Sequence, residues 1–248
     1  MTLTIDGHPF DAVVFDFDGV LADTAKGWAA AEAAVCAHYG VDYTDELAVG
    51  THGVGLDDSV RHLTAGVQPA VTHHEAAALM RAMADEHVPP HLEPIDGVAV
   101  TVETLAGWVP VAIASNTEQK LLERLVAELG LDQWVTAVVA ASEVPAPKPA
   151  PDIYLEAARR LGARPGRTLA VEDSPTGGRA ADAAGCLVLA LQLPGAPPVP
   201  DLCWAAMTAE SHADLLAMLS PTPDSSPSGA PAPLTITITT PDAKDAHP

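Results

Sequence analysis

The stretch DAVVFDFDGVLADT, from Asp11 to Thr24, brings two carboxylates, Asp16 and Asp18, to the end of an apolar run, Val13-Val14-Phe15. Side chains two apart on an extended strand point to the same side. Two carboxylates at hydrogen-bonding range repel, so a proton or a cation must neutralise one of them. The pattern suits a metal site, or a nucleophile and an acid/base group sharing one reaction centre. A surface turn with acidic caps would use the same letters, but a buried strand running into Asp-x-Asp-Gly argues against it.

Three further stretches could join such a centre. In VEDSPTGG, Glu172 and Asp173 close another apolar run. An acidic pair before a helix often serves as an N-terminal cap. Taken with Asp16 and Asp18 it instead completes an all-oxygen site of the kind Mg²⁺ prefers, since Mg²⁺ keeps several waters and binds phosphate oxygens. Ser115 and Asn116 end the run VAIASN just before a helical pattern, as a cap, as an anion contact at a helix N-terminus, or as both. Lys148 lies in VPAPKPAPD and is one of four lysines, with Lys26, Lys120 and Lys244. The flanking prolines restrict its backbone. An exposed loop lysine is the plain alternative to a held cation that balances the acids and grips a phosphoryl oxygen.

The elements that must position these residues follow from the apolar rhythm. Short apolar runs (VPVAIASN, VTAVVAAS, TLAVEDS, CLVLAL) alternate with helical patterns (TEQKLLERLVAELGL, APDIYLEAARRLG, TGGRAADAAG). That alternation predicts right-handed βαβ units and a parallel sheet, with ligands beyond the carboxyl ends of the strands. Between Ala22 and Pro94 the pattern is helical instead. KGWAAAEAAVCAHYG stops at Gly40, DDSVRHLTAG follows, and THHEAAALMRAMADEHV carries a capping box of Thr72 and Glu75. PPHLEPIDG then breaks the pattern. The proline-rich SPTPDSSPSGAPAP has little to bury and is expected to be disordered. LTITITT beyond it is expected to be a tail rather than an added edge strand.

Composition bounds the partners. The chain has 248 residues, of which 48% are hydrophobic, and a net charge of −21. That charge repels phosphate backbones, so nucleic acid is not an expected partner, and no basic face suits an anionic membrane. Cys36, Cys186 and Cys203 show neither paired nor metal-site spacing, which fits a reducing compartment. With no leader pattern and no apolar stretch of spanning length, a cytoplasmic protein is expected. The expected partner is a small phosphorylated metabolite, and the expected state a monomer or weak homodimer.

Four motifs in order, DxDGVLxDT at Asp16–Thr24, Ser115 at a strand end, PKPxPD around Lys148 and EDSxxG from Glu172 to Gly177, resemble the haloacid dehalogenase superfamily over roughly 11–191. The phosphatase and phosphoglucomutase-like branch, with a helical cap, is the nearest likeness. The resemblance implies a doubly wound, Rossmann-like α/β parallel sheet in 1–21 and 95–195 and an inserted α-helical cap in 22–94; 196–219 is expected to end the core, and composition makes 220–248 a disordered tail. It implies that Asp16 forms an aspartyl-phosphate, that Asp18 is the acid and then the base, and that Ser115, Asn116 and Lys148 hold the phosphoryl group. It implies Mg²⁺ on Asp16, the Asp18 carbonyl, Glu172 and Asp173. Its mutases carry a cap histidine where this chain has Trp28, and a lysine and an arginine near His52-Gly53-Val54-Gly55-Leu56 that are absent here. Hydrolysis is therefore expected over mutase chemistry, with metal-binding regulation without catalysis as a further alternative. His52 reads equally as a cap residue that sets substrate specificity or as a surface histidine. His73, His74, His87 and His91 read as solvated.

Overall fold

The computed structural model describes residues 3–5, 7–51, 54–68, 70–196, 199 and 201–221. The chain opens with a hairpin of β1 (Leu3–Ile5) and β2 (His8–Phe10), followed by β3 (Ala12–Phe15) and a two-residue strand β4 (Ala22–Asp23). Helices α1 (Ala25–His38), α2 (Asp45–Thr51), α3 (Leu56–Thr64) and α4 (His73–His87) come next, and β5 (Glu93–Pro94) returns the chain to α5 (Val98–Ala106). The alternating half contains β6 (Val111–Ser115), α6 (Gln119–Glu128), β7 (Ala137–Ala140), α7 (Asp152–Arg160), β8 (Thr168–Glu172), α8 (Pro175–Ala183) and β9 (Leu187–Leu191). It closes with β10 (Met207–Ala209), α9 (His212–Ala217) and β11 (Leu219–Pro221).

Six strands form one sheet in the order β10-β9-β8-β3-β6-β7, and every pairing within it is parallel. From β3 the chain builds outward through β6 and β7, then returns to the other side of β3 for β8, β9 and β10. The reversal puts a switch point at β3, where open α/β sheets bind ligands. The parallel sheet expected from the rhythm is therefore present, and it is doubly wound as the resemblance implies.

Both faces of the sheet are buried, so its strands read as apolar runs rather than as alternating patterns. The two faces differ in bulk. Val13, Phe15, Val111, Ile113, Leu169 and Val171 face one core with α5 and α6. Ala12, Val14, Ala112, Ala114 and Ala170 face the other, where the small side chains let α7 and α8 approach with Tyr154 and Ala157. Trp204 fills the edge of this second core. It is 4% exposed, and its indole N–H donates to the Asp201 carbonyl at 3.1 Å.

The helical segment has a core of its own, built from Val35, Cys36, Val60, Leu63, Ala76, Ala77 and Met80. The Thr72–Glu75 capping box is present at the start of α4. β4 and β5 pair antiparallel, Ala22 with Pro94 and Asp23 with Glu93, so the segment leaves and re-enters the sheet region at one place.

The apolar rhythm of the sequence marks neither α2 nor α5. The short strands β1, β2 and β11 form a separate antiparallel sheet in the order β11-β1-β2. β11 includes residues 220 and 221, so the first two residues of the span expected to be disordered are paired with β1, a correction that rests on backbone pairing no local composition reveals. The rest of that span, including LTITITT, and His52 lie outside the described residues. His73, His74 and His91 are exposed and His87 is half-buried. Among the described residues no helix is long and apolar enough to cross a membrane.

Trp204 lies far from the switch point in sequence and closes the small-residue core. Trp204→Ala is expected to cost about 3–5 kcal/mol, measured as a lower urea midpoint with an unchanged slope.

Candidate functional site

Asp16 follows the last residue of β3 and keeps the sheet's pairing, its N–H donating to the Val171 carbonyl at 2.9 Å. Ser115 ends β6 and Glu172 ends β8, the two neighbours of β3. Three adjacent strand ends thus deliver Asp16, Ser115 and Glu172 to one place. The β7–α7 loop folds back over them and inserts Lys148.

Lys148 is 5% exposed and Glu172 is fully buried. The Lys148 ammonium donates to Asp16 Oδ1 at 2.5 Å and to Glu172 Oε1 at 2.6 Å. Its reach is set by Asn116, whose Oδ1 accepts from the Lys148 N–H at 3.0 Å and whose Nδ2 donates to the Lys148 carbonyl at 3.3 Å. Asn116, expected on the phosphoryl group, clasps the main chain of the lysine while also lining the cavity beside it. Tyr154, from α7 beneath the sheet, donates its hydroxyl to Glu172 Oε1 at 2.6 Å. Glu172 therefore has both a cation and a phenol on one oxygen.

Ligand-type oxygens of Asp16, Glu172 and Asp173 lie within 4.8 Å of one another. Hard oxygen donors at this spacing suit a divalent cation. Asp18, expected to contribute its carbonyl, has its carboxyl outside this group. The close packing needs glycine at two places. Gly19 has φ +82°, and a Cβ there would lie 2.0 Å from Asp173 Oδ2. A Cβ on Gly177 would lie 1.8 Å from Glu172 Oε1. Ser174, rather than the acidic pair, caps α8 by accepting from the Gly177 N–H at 3.0 Å. That leaves Glu172 and Asp173 available to the site.

The two aspartates of the opening motif have different partners. β3 stops at Phe15, so Asp16 and Asp18 lie just beyond the strand rather than within it. Asp18 instead receives four donors: Thr24 Oγ1 at 2.5 Å and Trp28 Nε1 at 3.0 Å on Oδ1, Ser115 Oγ at 3.0 Å and Thr117 Oγ1 at 3.1 Å on Oδ2. Ser115 is no helix cap. α6 begins at Gln119, and Ser115 Oγ accepts from the Thr117 N–H while donating to Asp18. Thr117 and Tyr154 escaped sequence reading, because nothing local marks a threonine or a helix tyrosine as a partner of an acid about 18 or more residues away.

Charge balance is incomplete. Burial, together with the neighbouring Glu172 charge and against the pull of Lys148, holds Asp16 well above the ordinary carboxylate range. Burial and Glu172 push Asp173 up to about 8. Burial draws the Lys148 ammonium down, but the Asp16 and Glu172 carboxylates outweigh it and keep the group charged. One ammonium does not offset three acids, so the site takes up protons or a cation.

These groups open into a cavity of about 350 Å³ between the sheet and the helical segment. The cavity thus has a polar floor at an α/β switch point and a roof of helices. The chain belongs to the haloacid dehalogenase-like hydrolase family, whose model matches residues 13–191. It is 33% identical over 180 residues to fructose-1-phosphate phosphatase YqaB of Escherichia coli (strain K12), covering 71% of this chain and 93% of that protein. It is 32% identical to a HAD family hydrolase from Deinococcus radiodurans R1 solved with bound phosphate and sodium, with a TM-score of 0.62 over 87% of this chain and 100% of that one. CbbY from Rhodobacter sphaeroides in complex with phosphate is 25% identical, with a TM-score of 0.71 over 84% of this chain and 98% of that one.

The raised carboxyls fix a sign for stability. In metal-free protein the folded state keeps protons on Asp16 and Asp173 that the unfolded chain releases above pH ~4. The folded state therefore binds more protons, and stability falls as pH rises towards about 8. In chelator, the Tm is expected to fall between about pH 7.5 and about pH 8.5, above the ordinary histidine range. Asp173→Asn should flatten that fall, and a rising wild-type Tm over the same interval would contradict the assignment.

Proposed function

We propose that the protein is a Mg²⁺-dependent phosphatase that hydrolyses small phosphate monoesters, sugar phosphates or phosphoglycolate-like acids, through an aspartyl-phosphate on Asp16. The reading rests on one observation above all: a buried lysine bridging Asp16 and Glu172 beside Asp173, at the floor of a cavity that Asp18 also lines. A cytoplasmic setting belongs to the same proposal.

The donor set of Asp16, Glu172 and Asp173 fits a hard divalent ion, with the Asp18 carbonyl added by family resemblance. When bound, that ion supplies charge neutralisation that lets a carboxylate approach a phosphate. The side chains do the rest. An oxygen of Asp16 attacks phosphorus, and the bond to the leaving oxygen breaks as Asp18 gives that oxygen a proton. Asp18 then takes a proton from water, which attacks the acyl phosphate, releases inorganic phosphate and restores the Asp16 carboxylate. Lys148 and Ser115 hold phosphoryl oxygens during both steps.

The shell around Asp18 suits both of its states. Three of its four donors are hydroxyls, which can turn to accept when Asp18 is protonated. Trp28 can only donate. Because Trp28 lies on α1, in the helical segment, movement of that segment about the β4–β5 pair would make and break the contact while excluding and readmitting water. Trp28 occupies the place where mutases carry a histidine, and an indole cannot serve as an acid or a base. This favours hydrolysis over mutase chemistry.

Asp16→Asn should lower kcat on phosphate esters by at least about 10³-fold, and Lys148→Ala by about 10²–10³-fold. Chelation should abolish turnover and Mg²⁺ restore it. A panel of phosphate esters assayed for released phosphate tests all three, and an active Asp16→Asn enzyme would overturn the mechanism.

A further inference from the structure

The two oxygens of Glu172 are treated unequally. Oε1 accepts from the Lys148 ammonium at 2.6 Å and from the Tyr154 hydroxyl at 2.6 Å. Among the described residues, Oε2 has only the Ser174 hydroxyl at 3.3 Å and the Ser174 N–H at 3.5 Å. Gly177 of α8 closes a third side of the carboxyl group, where a Cβ would lie 2.1 Å from Glu172 Cδ. Tyr154 is as fixed as its acceptor. It is fully buried in the alanine-rich core, and Lys148 Nζ lies 5.0 Å from its ring centroid. A carboxylate has about four lone-pair sites, about two on each oxygen. Lys148 and Tyr154 fill those on Oε1, so Oε2 is the oxygen with room for a further partner.

We propose that Tyr154 is a positioning residue that limits Glu172 to one ligand oxygen, Oε2, and thereby makes the site select Mg²⁺ over Ca²⁺. The inference rests on the divalent-cation reading of Asp16, Glu172 and Asp173 and deepens it. Mg²⁺ demands near-ideal octahedral geometry and keeps several waters, whereas Ca²⁺ takes about six to eight oxygens and accepts bidentate carboxylates. With Oε1 closed, Glu172 offers the single oxygen that suits Mg²⁺ and withholds the pair that favours Ca²⁺. Lys148 alone would leave a lone-pair site on Oε1 open, and the phenol completes the closure. A phenol suits the task because it holds its proton at neutral pH at the tip of a rigid ring. Phenylalanine would fill nearly the same space without the donor, and Lys148 would still pair Oε1. Groups that orient a metal's ligands tune its affinity by about 10–100-fold.

The test measures Mg²⁺ and Ca²⁺ dissociation constants of the full chain, without substrate, from the rise in Tm with cation concentration. Wild type and Tyr154→Phe are compared. Wild type should bind Mg²⁺ more tightly than Ca²⁺. In Tyr154→Phe that preference should fall at least about tenfold, through weaker Mg²⁺ binding, tighter Ca²⁺ binding or both. A merely structural phenol would lower the metal-free Tm and leave the ratio of the two constants unchanged. That result would overturn the assignment while the divalent-cation reading stands. A wild type that binds Ca²⁺ as tightly as Mg²⁺, or more tightly, would overturn it as well, and this comparison needs no variant to fold. If neither cation raises the wild-type Tm, the metal reading itself fails and the inference falls with it.

Discussion

A buried ammonium held between two carboxylates is the interaction on which the site depends. Taking charges out of water costs several kcal/mol per ion after relaxation, and Lys148, Asp16 and Glu172 are each nearly or fully buried. They are tolerated because each has a partner at 2.5–2.6 Å. Asp173 then adds a third acid without a second lysine or arginine beside it, among the described residues lining the cavity. The result is a centre short of positive charge. A stability-optimised core would not be built this way, and natural proteins hold such strained electrostatics where function requires them.

The sheet makes the cluster possible. Parallel strands all point their carboxyl ends one way, so residues that follow β3, β6 and β8 converge without any long excursion of the chain. The register aligns Phe15 with Ile113 and with Val171, and this fixes the height at which Asp16 and Glu172 emerge. The unequal faces contribute as well. The alanine-rich side lets α7 sit close enough for Tyr154 to reach up to Glu172. A bulkier face would hold that hydroxyl away.

Asp18 links the two parts of the molecule. Ser115 and Thr117 approach it from the end of β6, and Thr24 and Trp28 approach it from the start of the helical segment. The same helix that contacts Asp18 carries Glu32 one turn further on, so one rigid element faces both the floor and the far wall of the cavity. α1 thereby sets the distance between the two ends of whatever lies between them.

The sequence by itself determined the parallel α/β core, the helical segment between Ala22 and Pro94, and five polar residues that meet at its floor: Asp16, Ser115, Lys148, Glu172 and Asp173. These were legible because apolar runs of four or five residues end in unusual polar letters, and because the main-chain direction of a parallel sheet carries strand ends to one edge. Three-residue strands such as β1 and β11 were not legible, since so short a run has no period to detect and forms only by pairing across the chain. Nor were the roles within the floor. That Asn116 clasps the Lys148 main chain, that Asp18 is held by four donors, and that Glu32 gathers Tyr43 and Thr51 are contacts between residues up to 99 positions apart. Side-chain aim at that range depends on packing angles between elements, and only the tertiary structure decides those.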